Sequence, residues 1–136
     1  MGWFGYNLYD GDETQTRHLE FMKIAGIVKD DDEGFSCFRM RKTKIPKEKV
    51  NLLISNYSKI EKLMSKKKFL NEDDALAWQM FASLYLDNNV KLPSRLKEKA
   101  ISATEYLIQE QCDDFDKPYL RRRVLNNFLN KVNKNE

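Results

Sequence analysis

The run ALAWQMFASLYL, residues 75–86, is apolar on nearly every side of a helix and is interrupted only by Gln79 and Ser83. A helix of that kind has no face to give to water, so other elements must surround it. At 12 residues it is far short of the ~20 that cross a bilayer. Its start is marked as well. Asn71 can accept a bond from a free backbone N–H as an N-cap, and Glu72, Asp73 and Asp74 bring negative charge to the positive end of the helix dipole. This chain is therefore expected to arrange its other elements around one central helix.

Those other elements are also helical. In VNLLISNYSKIEKLM, Val50, Leu53, Ile54, Tyr57, Ile60 and Met64 recur at three- and four-residue intervals, which predicts one helix from Pro46 to Met64 with a single apolar face. Pro46 suits its first turn, where a missing N–H costs nothing. An earlier helix is expected after YDGD, with Asp12 as cap, Gln15 reaching back, Leu19, Phe21, Met22 and Ala25 on one face, and Gly26 as the left-handed stop. Past the turn NNVKLP, Ser94 is expected to cap a fourth helix bearing Ala100, Ile101, Thr104, Leu107 and Ile108. QCDDFD then breaks the pattern. A fifth helix is expected from about Lys117, capped by Asp116, with Pro118 in its first turn, burying Leu120, Val124, Leu125, Phe128 and Val132. Five amphipathic helices with short connections predict an all-α bundle in a single domain over residues 1–136. Only FSCFRMRKTKI competes as strand. With no convincing second strand to pair, residues 35–45 are expected to be extended, alone or as one arm of a minor hairpin.

The opening MGWFGYNLYDGDE sets four aromatic rings, Trp3, Phe4, Tyr6 and Tyr9, among Gly2, Gly5 and Gly11. Chain ends usually fray. Two readings follow: the rings fold back onto the bundle as an ordered arm, or Trp3, Tyr6 and Tyr9 form an exposed hot spot of the residue types enriched there.

Net charge of +3, from 24 basic and 21 acidic residues, is too nearly balanced to mark a dedicated polyanion binder. Cys37 and Cys112 are the only cysteines, too few for a zinc framework or a disulfide scaffold, and are expected as reduced, partly buried thiols. The start has neither the basic residues nor the apolar run of a secretion signal, so a cytoplasmic location is expected.

No catalytic constellation is legible. His18 is the one histidine, no nucleophile-elbow, phosphate-loop or dinucleotide fingerprint occurs, and a structural role near the cap of the first helix is expected for it. DGDE fails as a calcium loop, because positions six and twelve counted from Asp10 are Gln15 and Phe21 instead of glycine and glutamate. No cofactor and no metal is expected, although carboxylates brought together by folding are invisible at this level.

Charge clusters remain. Asp30, Asp31, Asp32 and Glu33 form one acidic loop, and Asp113, Asp114 and Asp116 a second. Both suit a basic protein partner through steering and complementarity. Lys66, Lys67 and Lys68, with Arg121, Arg122 and Arg123, are the cations that a nucleic-acid-binding alternative would use. Three consecutive arginines span most of a helical turn, however, and cannot all point one way.

MGWFGYNLYDGDE, AWQMFASLYLDNNVKLPSRLKEKAISATEYL and RRRVLNNFLNKV together resemble a family of small uncharacterised bacterial helical proteins, a domain of unknown function. Its members open with Met-Gly, a Trp-Gly-like pair and an Asp-Xaa-Asp step. They continue with a Trp-bearing helix, a Leu-Pro turn and two closing helices. The resemblance implies a small helical domain without established catalytic residues. It also implies an inhibitor or immunity role, since some such proteins accompany toxin and defence genes. The function expected from residues and resemblance together is non-enzymatic, stoichiometric protein binding.

Overall fold

A computed structural model describes residues 12–27, 45, 47–66 and 71–135. Among them the chain is all-α, with six α-helices and no strand. These are α1 (Asp12–Ile24), α2 (Lys47–Ser55), α3 (Tyr57–Met64), α4 (Glu72–Asp87), α5 (Ser94–Glu110) and α6 (Pro118–Lys134), with a 3-10 turn at Cys112–Asp114 between the last two. The aromatic opening and the segment expected to be extended lie outside the described residues, apart from Ile45.

The run that demanded enclosure receives it. Every residue from Ala75 to Tyr85 on α4 is buried, with α5 and α1 packed along it and α6 making a smaller contact. Phe81 is the hub of an aromatic cluster. Its ring centroid lies 5.5 Å from Phe21 of α1, 5.5 Å from Tyr57 of α3, 5.5 Å from Tyr85 and 6.2 Å from Trp78. Each such ring removed from water contributes about 1.5–3 kcal/mol, and the offset and edge-on geometries add to that.

The two polar interruptions serve the packing. Gln79 donates from Nε2 to Thr104 Oγ1 at 3.3 Å, joining α4 to α5, while Thr104 donates to Ala100 O at 2.8 Å and Ser83 to Gln79 O at 2.8 Å. Hydroxyls that return their hydrogen bonds to the preceding helical turn can be buried at little cost.

Helix ends follow local chemistry. Gly26 stands at φ +78°. Ile27 N–H bonds to Met22 O at 3.0 Å and Gly26 N–H to Lys23 O at 3.0 Å, the paired bonds of a Schellman stop. Asn89, at φ 58°, does the same for α4, with Val90 N–H to Tyr85 O at 2.9 Å and Asn89 N–H to Leu86 O at 3.2 Å. Asn71 caps α4 as expected, accepting Asp74 N–H at 2.9 Å.

Five expectations are corrected. The helix expected as continuous from Pro46 to Met64 is two, broken at Asn56, which sits at φ −102°, ψ 11°. Its amide donates to Leu52 O at 2.9 Å and to Ala25 O at 3.1 Å. The break is thus fixed by a tie to the end of α1, a side chain competing with the helical ladder. Ile54, placed on the apolar face by spacing, is 53% exposed, because α2 turns only Leu53 fully inward. Ser94 is the first residue of α5 and makes no cap bond; Pro93 precedes it. Asp116 does not cap α6 either, since that position is Lys117, with Pro118 following in the first turn. Asp12 likewise lies inside α1 as its first residue.

Candidate functional site

Residues 111–121 turn the chain from α5 into α6. Gln111 extends the α5 ladder through its N–H to Leu107 O at 2.9 Å. Asp114 N–H then bonds to Gln111 O at 3.0 Å and Phe115 N–H to Cys112 O at 3.2 Å, closing a tight 3-10 turn. The turn sorts its side chains by side. Gln111 and Cys112 face inward and are 1% exposed, while Asp113, Asp114, Asp116 and Lys117 face water. Just beyond, Tyr119 is 58% exposed, one of two large apolar side chains left open among the described residues.

What holds this corner is Arg121. It is fully buried, donates from Nε to Gln111 Oε1 at 3.0 Å, and its guanidinium lies 5.4 Å from the centroid of the Phe115 ring. Gln111 passes the connection on, donating from Nε2 to Glu72 Oε1 at 2.6 Å in the first turn of α4. A buried cation is costly unless it is hydrogen-bonded and balanced. Here one amide relays between guanidinium and carboxylate, while the ring face supplies a cation–π contact. The relay ties three helices at one point. Under it, burial pushes the Cys112 thiol above its ordinary pKa, opposed by the nearby Arg122 and Arg121 charges. The thiol, 1% exposed, packs into the core there.

The second surface is the outer side of α6. Arg122, Arg123, Asn126, Asn127, Asn130, Lys131, Asn133 and Lys134 are all exposed, opposite the buried stripe of Arg121, Leu125, Phe128 and Val132. The expected core positions Leu120 and Val124 are half-buried at its margins.

Searches against protein-family models, curated proteins and solved structures each found no match. The site therefore stands on its own geometry.

Of the residues expected to meet a protein partner, Asp113 and Asp114 stand together on the exposed side of the corner. Trp3, Tyr6, Tyr9, Asp30, Asp31, Asp32 and Glu33 lie outside the described residues. Of the cations proposed for nucleic acid, Lys66 is exposed past the end of α3, and Lys67 and Lys68 lie outside the described residues. Arg122 and Arg123 are exposed on α6. Arg121 is corrected: with no accessible surface it cannot touch a phosphate, and it belongs to the core.

Sequence reasoning missed Tyr119, the relay through Gln111 and Glu72, and the cations at Lys131 and Lys134. One signal was present for the last two, since residues 118–134 contain five cations and no acidic residue. Among the described residues, no group of three or more His, Cys, Asp or Glu side chains could hold a metal ion. No helix is long and apolar enough to cross a membrane there.

Proposed function

We propose that this chain is a cytoplasmic, stoichiometric protein-binding module, an inhibitor or immunity protein that presents the 111–119 corner to a basic partner surface. The observation that carries the reading is Tyr119, 58% exposed, following Asp113, Asp114 and Asp116 on a turn rooted in the Arg121–Gln111–Glu72 relay. Exposed tyrosines are favoured as binding anchors, because they give large contact area at small entropic cost. A turn already fixed by buried hydrogen bonds loses little freedom when a partner docks. The carboxylates add steering and raise the association rate with a cationic surface. The resemblance to small helical proteins that accompany toxin and defence genes points the same way.

Affinity capture from native lysate with quantitative mass spectrometry tests the reading. One partner should be recovered at a stoichiometric ratio by the wild type, and its recovery should fall at least tenfold with Asp113→Lys/Asp114→Lys and with Tyr119→Ala. Lys66→Gln should leave it unchanged. Failure to recover any protein, or recovery indifferent to both corner variants, would refute the proposal.

A further inference from the structure

Charge on this protein is divided by element. Of 24 cations and 21 acidic residues in the chain, five cations and no acid sit on α6. Nineteen cations and all twenty-one acidic residues therefore lie elsewhere, and the rest of the molecule is slightly negative. Every other described α-helix mixes the two signs or is acidic. α5, which packs beside α6, balances Arg95, Lys97 and Lys99 against Glu98, Glu105 and Glu110. α4 carries Glu72, Asp73, Asp74 and Asp87 without a cation.

With Arg121 turned inward, four cations are left on the solvent side of α6, namely Arg122, Arg123, Lys131 and Lys134. From Arg123 to Lys134 the helix advances roughly 16 Å. Asn126, Asn127, Asn130 and Asn133 fill the interval, all exposed. This composition discriminates between partners. A protein interface is built around a desolvated core of aromatic and aliphatic anchors, and this stretch of α6 offers none. Interfaces with nucleic acid are polar, wet and strongly positive. There, arginine and lysine meet phosphates while asparagine bonds to sugar, phosphate and base edges. Nothing acidic interrupts the face along its own helix.

We infer that the outer face of α6 is a nucleic-acid-binding rail, with Arg122, Arg123, Lys131 and Lys134 on backbone phosphates and Asn126 and Asn130 bonding between them. This goes beyond the protein-binding reading and uses a different surface. The acidic corner at Asp113, Asp114 and Asp116 bounds the rail at its amino-terminal end, so the strand lies from Arg122 toward the end of α6.

The test is fluorescence anisotropy of the full chain with labelled 20-nucleotide DNA, as duplex and as single strand, over a range of salt. Four neutralised phosphates predict a log–log salt slope of about −3.6 for duplex or −2.8 for single strand. The affinity lost between 50 and 200 mM salt would then be on the order of 100-fold. The steeper or shallower slope identifies the preferred form. Arg122→Gln/Arg123→Gln/Lys131→Gln/Lys134→Gln should weaken binding at least tenfold and flatten the slope. Asn126→Ala/Asn130→Ala should weaken it severalfold with the slope unchanged. Circular dichroism melting within a few degrees of wild type shows that both variants fold, as substitutions at exposed positions should. Binding absent at 50 mM salt, binding intact in the quadruple variant, or displacement by poly-glutamate at the same charge concentration as by unlabelled DNA would overturn the assignment. The last of these would replace nucleic acid with an acidic protein. Asp113→Lys/Asp114→Lys, which abolishes the proposed protein contact, should tighten DNA binding, so the two proposals fail separately.

Discussion

Arg121 donates to Gln111 at 3.0 Å across the turn between the last two helices, and neither side chain has more than 1% of its surface exposed. Truncating the two partners should therefore have unequal effects. Gln111→Ala removes the amide between the buried guanidinium and Glu72, and a buried charge stripped of a hydrogen bond costs several times what a neutral pair does. We expect a loss of about 3 kcal/mol. Arg121→Met removes the charge itself and fills most of its volume, leaving Gln111 with its bond to Glu72 but its Oε1 without a donor, and about 2 kcal/mol is expected, still less than for Gln111→Ala. Urea denaturation of the two variants gives the order, and Arg121→Met proving the more damaging would refute the relay.

Two helix stops allow a reciprocal experiment. Gly26 holds φ +78° with no heavy atom within 4 Å of where a Cβ would stand, so Gly26→Ala meets only backbone strain, about 1–2 kcal/mol. Asn89 occupies the same left-handed region at φ 58° with a side chain. Asn89→Gly relieves that strain while loosening the unfolded chain, and the two effects nearly cancel, to within about 0.5 kcal/mol. Thermal melts should show a clear drop for the first variant and almost none for the second.

The contrast between these stops and the relay shows what was legible in the sequence. Gly26, Asn71 and the apolar run of α4 act through neighbours a few residues away, so their roles follow from spacing alone. Asn56 breaks a helix by reaching Ala25 O, 31 residues distant, and nothing within its own helical pattern announces that. Arg121 shares a face with Leu125, Phe128 and Val132 by periodicity, yet its charge argues for the surface. Gln111, Glu72 and the Phe115 ring, supplied from outside its own helix, let the periodicity win. The exposed side of α6 was readable in principle, because its signal is the missing acidic residue over seventeen positions.

Gln79 gives a prediction of the opposite sign. Its Nε2 is bound to Thr104, whereas Oε1 is buried with no hydrogen-bond donor among the described residues. An acceptor left dry forfeits about 1–3 kcal/mol of solvation, more than one neutral hydrogen bond of about 1 kcal/mol returns. Methionine has nearly the same volume and length, and Thr104 keeps its bond to Ala100 O. Gln79→Met should therefore be neutral or stabilising by up to about 1 kcal/mol, read as a higher urea midpoint with an unchanged slope.

Alkaline pH should unfold the protein through its core tyrosines. Tyr85 is 1% exposed and donates its hydroxyl to Leu53 O at 2.5 Å, and burial raises its phenol above the ordinary value near 10. Tyr57 is raised too, first by burial and then by the adjoining Glu61. In the unfolded chain both ionise near pH 10, while in the folded chain both keep their protons. Above pH 10 the unfolded state therefore binds fewer protons, and stability falls as pH rises, by about 1.4 kcal/mol per unit for each tyrosine. Below pH 9 neither contributes to the pH dependence. Urea midpoints at pH 9, 10 and 11 should decline for the wild type and decline by one tyrosine less for Tyr85→Phe. That difference isolates the contribution of the Tyr85 phenol from every other group. Parallel declines in the two proteins would mean that Tyr85 ionises freely, and would contradict its place beneath α2.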